Sequence, residues 1–151
     1  MHESTDYVEK TIRKLFRTQR LAVLSTQSSG QPYASLVAFV AAEDLAHLYF
    51  ATPRTTRKYH NLDTDPRVAM LMDTRSNLES DIHEAVAVTA VGIAYEIRER
   101  DRKEGMELYL SKHPYLQDFV RAESCALIRV TVKTYYLVTR FQQVMELRIS
   151  P

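Results

Sequence analysis

The chain has 151 residues, of which 45% are hydrophobic and 26% charged, values typical of one globular domain with its own core. Its formal net charge of +1 excludes a global field that would attract nucleic acid, so any anion must bind locally. The single cysteine, Cys125, excludes an internal disulfide, and no apolar run reaches membrane-spanning length, which together predict a cytoplasmic protein that contacts no membrane.

The sequence of the first half of the chain predicts one helix, three strands, a short helix and a fourth strand. Thr5 or Asp6 caps the first helix, whose apolar residues repeat at helical spacing until the helix ends near Arg20. Apolar and β-branched runs between turn signals then predict strands over residues 21–26, 33–41, 47–52 and 67–73. A short helix lies before the fourth strand, and Pro66 ends it.

The second half predicts a long strand, a helix and a final pair of strands. The polar segment SDIHE (80–84) is expected to be a solvated loop. Strands are predicted over 85–97, 125–139 and 140–149, and helical segments over 98–114 and 115–121. Six or seven strands with mostly short connections do not fit strict βαβ alternation, so we expect a mainly β protein with helices, an antiparallel barrel spanning residues 1–151 as a single domain.

The segment TPRTTRKYHNL, after the third predicted strand, places positive charge where a helix disfavours it. Thr55 or Thr56 is a good N-cap because its hydroxyl can accept a free backbone N–H. Arg57 and Lys58 then lie in the first turn, with Arg54 just before it. The amino-terminal end of a helix is positive and favours acidic residues, so these three cations need an explanation.

A bound phosphate would explain them. A helix start offers free N–H donors, and Thr52, Thr55 and Thr56 add hydroxyls. Charge-assisted hydrogen bonds contribute about 1.5–3 kcal/mol each, whereas a cation at this end costs about 0.3–1 kcal/mol. The alternative is a solvated basic patch that contacts Asp63 or Asp65.

Two stretches, GQPYASLVAFV (30–40) and LYFATPRTTRKYHNLDTDPRVAMLM (48–72), resemble the pyridoxamine 5'-phosphate oxidase-like family of FMN-binding split barrels. The shared pattern is a strand after Gly-x-Pro, a strand ending in Thr, an Arg-Lys pair that opens a helix, and then Asn-Leu and Asp-Pro-Arg-Val. The resemblance covers residues 21–97 well, and the order of predicted elements agrees to the end of the chain.

The resemblance implies a six-stranded antiparallel split β-barrel that binds FMN at a homodimer interface. In the family, the matching segment of the second strand runs along the flavin ring mostly through its backbone, the end of the third strand also lines the flavin, and the Arg-Lys pair holds the phosphate. The helix-start argument adds the Thr56 hydroxyl to the positions that the resemblance implies. The candidate cofactor-binding residues are therefore Ser35, Leu36, Val37, Ala38, Ala51, Thr52, Thr56, Arg57 and Lys58.

Departures from the oxidase itself concern both its cofactor contacts and its substrate pocket. The oxidase has a phosphate-contacting arginine at the position of Ser35, a flavin-contacting glutamine near Ala87 and a substrate-contacting lysine at the position of Val40. Its tryptophan and Arg-Leu-His segment have no counterpart in residues 135–151, which contain neither Trp nor His. These differences argue against vitamin B6 oxidation and leave the small-molecule substrate or redox partner unidentified.

The sequence is also compatible with other functions of the same fold. A haem-binding or haem-degrading protein of the same fold, a non-enzymatic flavin sensor or stress protein, and a deazaflavin in place of FMN are the alternatives. No histidine pair has metal-ligand spacing, so no metal is expected, and no catalytic residue is assigned. His60 is expected at the surface or an interface, and Cys125 as a small buried hydrophobe.

Overall fold

The computed structural model describes residues 2–140 and 143–150, with side chains from residue 5 onward. The helices and strands follow the predicted order closely, and two of the predicted strands, 67–73 and 125–139, have the observed bounds. The elements are α1 (His2–Thr18), β1 (Leu21–Ser28), β2 (Gln31–Ala41), β3 (His47–Pro53), α2 (Arg57–Thr64), β4 (Arg67–Asp73), α3 (Asp81–Glu84), β5 (Val86–Glu96), α4 (Glu99–Lys112), a 3-10 turn (Pro114–Leu116), α5 (Gln117–Arg121), β6 (Cys125–Thr139) and β7 (Gln143–Arg148).

The strands form an antiparallel sheet that closes on itself. Their order is β3-β2-β1-β4-β5-β6-β7, and an additional pairing between β3 and β6 joins the two sides. Seven residue pairs, from His47 opposite Thr131 to Pro53 opposite Cys125, make this closure. The first six strands therefore form the predicted six-stranded barrel, and β7 extends it as one extra strand on β6.

The core has two parts, which lie on opposite faces of the barrel wall. The larger part fills the barrel, where α1 contributes apolar residues such as Ile12 and Phe16. The smaller part lies outside the barrel, between α4 and the outer faces of β3 and β6, and includes Tyr49, Met106 and Tyr109. Both faces of β3 are consequently covered, and its five central residues are buried.

Two predictions were wrong, the start of the first helix and the loop over 80–84, while most other predicted ends differ from the observed ones by one to three residues. Helix α1 begins at His2, before both predicted caps. The segment 80–84 is not a simple loop, because residues 81–84 form the single turn α3, and Asp81 accepts backbone N–H groups from Ser76, Asn77 and Leu78. Residues 141 and 142 of the last predicted strand lie outside the described residues. None of the helices in the described part of the chain is long and apolar enough to span a bilayer.

Candidate phosphate and flavin site

The start of α2 is held by a small hydroxyl network. Thr56 is the N-cap, and its Oγ accepts the backbone N–H of Tyr59 at 3.3 Å. The Thr52 and Thr56 hydroxyl oxygens lie 2.6 Å apart, and both hydroxyls contact the carbonyl oxygen of Pro53 at 3.0 Å. Thr56 thus performs the predicted capping role, while the fully buried Thr52 ties the end of β3 to the helix.

Glu96, at the end of β5, neutralises one of the three cations. Arg54 donates to the two Glu96 carboxylate oxygens at 2.5 and 3.3 Å, and to the carbonyl oxygen of Glu123 at 2.6 Å. The Tyr59 hydroxyl donates to the same carboxylate at 2.8 Å. The hydrogen bonds from Arg54, more than any other cause, hold the pKa of the Glu96 carboxyl below its ordinary value. Arg54 therefore has a structural partner.

Arg57 and Lys58 have no such partner. Within residues 2–140 and 143–150, no carboxylate forms an ion pair with either side chain, and the first turn of α2 contains no acidic residue. Asp65, one proposed partner, instead binds Arg67 at 2.6 Å, and the Arg67 hydrogen bonds lower the pKa of Asp65 to about 2. The basic-patch alternative therefore lacks its Asp65 contact, and two positive charges face the solvent beside the helix start.

The predicted segment of β2 lies next to this helix start. The guanidinium carbon of Arg57 is 6.0 Å from the centroid of the Tyr33 ring, near the beginning of β2. Along the strand, Leu36 points outward and is 61% exposed, whereas Val37 is buried in the barrel. Ala38 lies on the same face as Leu36, and Tyr109 of α4 donates to its carbonyl oxygen at 3.2 Å.

The two candidate residues at the end of β3, Ala51 and Thr52, are buried. Ala51 packs in the core between the barrel wall and α4 and is 7% exposed. Thr52 has no exposed surface. In the single chain these two residues shape the base of the turn, and the accessible part of the candidate site consists of the outer face of β2 and the start of α2.

Two buried polar atoms beside the turn lack hydrogen-bond partners in the described part of the chain, Ser35 Oγ and Asn61 Oδ1. The Asn61 amide nitrogen donates to Thr26 Oγ at 3.1 Å. Because Ser35 pairs with Leu24 and Tyr33 pairs with Thr26, Ser35 and Thr26 are diagonal neighbours on one face of the sheet. Leaving a buried polar atom unpaired costs about 1–3 kcal/mol, so this corner suits a ligand with polar atoms.

Sequence reasoning missed Glu96 and Asn61. Glu96 lies far along the chain from the cations, and nothing in its neighbourhood marks it as their partner. Asn61 stands within the quoted family pattern, so its position could have indicated a role. The barrel closure and the packing of α2 bring both residues to the turn.

A row of mainly apolar side chains, interrupted by Thr89 and called the apolar row below, crosses the outer face of the sheet beside the site. The register aligns Leu36 with Val23, Leu71, Thr89 and Tyr136 on successive strands. Leu21, near the same row, is 49% exposed. Contiguous apolar surface of this kind marks interaction sites in soluble proteins.

Comparisons with known proteins agree with this architecture. A sequence model of the pyridoxamine 5'-phosphate oxidase family matches residues 8–139. A search of curated proteins finds no significant relative. Among solved structures, a haem-binding protein of Mycobacterium smegmatis superposes with a TM-score of 0.79 at 14% identity, over 90% of this chain and 55% of the other. This chain therefore spans about half the length of that protein.

Two further structures cover most of both chains. General stress protein 26 of Bacillus anthracis is 20% identical with a TM-score of 0.72, over 95% of this chain and 99% of the other. An FAD-binding protein of Mesorhizobium loti is 17% identical with a TM-score of 0.68, over 85% of this chain and 91% of the other. At such identities the similarity shows a common fold.

Proposed function

The chain belongs to the pyridoxamine 5'-phosphate oxidase family, and on this premise we propose that it is an FMN-binding flavoprotein that acts as an oxidoreductase on an unidentified substrate. The observation that carries the proposal is the pair of unneutralised cations, Arg57 and Lys58, at a helix start that also offers free backbone N–H donors. The missing substrate-pocket residues argue against vitamin B6 as the substrate.

The residues present fit a flavin phosphate. Arg57 and Lys58 would hold the phosphate, and Thr56 would keep the turn in shape through its capping bond. Residues 35–38 would run along the ring, with Ala51 and Thr52 supporting the turn from inside. FMN, when bound, supplies the redox chemistry, so the protein needs no acid–base cluster of its own.

We further propose that the protein is a homodimer with the flavin at the subunit interface. The apolar row across the outer face of the sheet, beginning at Leu36, lies next to the phosphate corner and would be covered by a second copy. This placement would shield the ring from water on the side that the single chain leaves open. A cytoplasmic location, compatible with the unpaired Cys125, completes the proposal.

Absorbance spectroscopy of the purified protein tests the cofactor. We expect flavin bands and about one FMN per chain, in agreement with a single site in each chain. A deazaflavin would show its own spectrum and distinct mass after extraction. A colourless protein that does not bind added FMN would overturn the proposal, and a light-scattering mass of one chain would overturn its dimeric part.

Haem binding is the second candidate, favoured by the similarity to the haem-binding protein of M. smegmatis. His60, exposed on α2, is the imidazole nearest the candidate site in sequence and would be the side chain to test as an iron ligand. Titration with haemin distinguishes the two cofactors, because a Soret band that His60→Ala removes supports haem and a flavin spectrum supports FMN.

A non-enzymatic flavin-binding sensor is the third candidate, favoured by the similarity to general stress protein 26. Such a protein would bind FMN without turning over a substrate. Failure of both NADH and NADPH to reduce the bound flavin would support this function, whereas reduction coupled to an acceptor would support the oxidoreductase.

A further inference from the structure

A groove of about 810 Å³ lies between α1 and α4, over the turn that joins β2 to β3. This volume is within the range of about 300–1,000 Å³ that small-molecule sites occupy. Its apolar lining comes from both helices and the strand end and comprises Phe16, Val40, Ala41, Ala42, Leu45 and Leu108. None of the nine candidate flavin residues lines it, so it is a separate feature of the molecule.

Lys112, the last residue of α4, places a half-buried ammonium group at one end of the groove. Its Nζ donates to the carbonyl oxygen of Phe16 at 2.9 Å and lies 3.9 Å from the centroid of the Phe39 ring. An ammonium group has three N–H donors, and the described residues supply only that one acceptor. The neighbouring His113 does not compete for this space, because its Nε2 contacts the Phe39 carbonyl at 2.7 Å.

The charges around Lys112 leave this end of the groove positive. Arg17 lines the groove and has no ion pair among the residues described, while Arg20 lies near enough to oppose the charge of Lys112. Arg13 is neutralised by Glu9 at 2.9 Å and also donates to the carbonyl of Glu43. Among the described residues that line the groove, Glu43 is the only acidic one.

We propose that this groove binds a small amphipathic carboxylate, with its apolar body on the groove floor and its carboxylate on Lys112 and Arg17. The carboxylate would supply the acceptors that the ammonium group lacks, and charge-assisted bonds of this type are the stronger class of hydrogen bond. The site is independent of the proposed flavin chemistry and would operate whether or not the protein binds FMN.

The proposal gives a defined pH dependence. Burial lowers the pKa of Lys112 to about 8, and the charge of Arg20 acts in the same direction. A bound carboxylate favours the protonated amine, so binding is accompanied by proton uptake near this pH. The affinity should therefore weaken as the pH rises through about 8, because Lys112 loses its proton there.

Calorimetric titration of the full chain with decanoate tests the site, with decanol as an uncharged probe of the same length. We expect decanoate to bind at least tenfold more tightly than decanol, and Lys112→Met to remove that difference. Ser111→Trp, which fills the groove from an exposed position, should abolish binding of both probes. Lys14→Met, an exposed position on α1 outside the groove, is the matched control and should bind like the wild type.

A second measurement keeps the test valid if Lys112→Met does not fold. Mass spectrometry after reductive methylation of the wild-type chain reports the reactivity of each lysine. Decanoate should protect Lys112 several-fold and leave Lys14 unprotected. No decanoate binding, equal affinity for decanoate and decanol, or unprotected Lys112 would each overturn the proposal.

Discussion

Replacing Arg57 and Lys58 together with alanine tests whether the start of α2 holds a phosphate. Each side chain would contribute about 1.5–3 kcal/mol to phosphate binding through a charge-assisted hydrogen bond. Because Arg57 is exposed, solvent screening reduces this contribution, and we expect a combined loss near 3 kcal/mol, about a hundredfold weaker binding. Quenching of flavin fluorescence on titration with protein measures the dissociation constant.

The same double variant is expected to weaken FMN binding without lowering the stability of the ligand-free protein. Each removed cation relieves about 0.3–1 kcal/mol of repulsion at the helix start, offset by about 0.5 kcal/mol for the lost contact of Arg57 with Tyr33. Ligand-free protein should therefore unfold in urea at the same or a slightly higher midpoint than the wild type. A decrease in the midpoint would show that the cations have a structural role.

Riboflavin and a surface variant provide the controls. Riboflavin lacks the phosphate, so its affinity should be the same for the wild type and the double variant. Arg100→Ala with Lys103→Ala removes equal charge from exposed positions on α4 and should leave FMN affinity unchanged. Unchanged FMN affinity in the Arg57/Lys58 variant, or an equal loss for riboflavin, would refute the phosphate assignment.

Three further predictions concern the fold that supports the site. Glu96→Gln should weaken the bond to Arg54 and lower the free energy of unfolding in urea by about 1–3 kcal/mol. The reason is that the Glu96 side chain is only 9% exposed, so the substitution replaces a nearly buried charged partner of Arg54 by a neutral one. Gly92→Ala should cost about 2 kcal/mol or more by the same assay, because a Cβ there would overlap the backbone carbonyl of Thr131. Lys112 has a pKa of about 8 in the folded chain and 10.5 ordinarily, so the unfolded chain binds more protons between these values. Stability should rise with pH across that window in the wild type, and Lys112→Met should remove this rise.

Matched variants distinguish these effects from general damage. Glu104→Gln, at an exposed position in the interior of α4, should leave the unfolding midpoint unchanged. Equal stability of Glu96→Gln and the wild type would mean that the ion pair contributes nothing measurable. If the Gly92→Ala variant unfolds at the wild-type midpoint, β6 can move away from the added Cβ without loss of stability. Parallel pH profiles for the wild type and Lys112→Met would show that Lys112 does not titrate in this window.

Local sequence patterns were enough to predict most of the secondary structure. The strand 67–73 is a run of five apolar residues bounded by Arg67 and Asp73 between a proline and a polar segment, and its bounds are those observed. Thr56 was one of two predicted N-caps, because a hydroxyl before a helical run satisfies a nearby backbone N–H. The start of α1 was wrong because a plausible capping residue does not prevent a helix from beginning earlier.

The sequence by itself determined the order of strands and helices, and the family pattern added the barrel and the identity of the candidate site. Periodicity and capping depend only on neighbouring residues, so they can be read without knowing the fold. The tertiary structure decided which charges remain available, since barrel closure brings Glu96 to Arg54 and leaves Arg57 and Lys58 unpaired. It also decided that α4 covers β3 and creates the groove beside Lys112, because packing between distant segments leaves no local pattern in the chain.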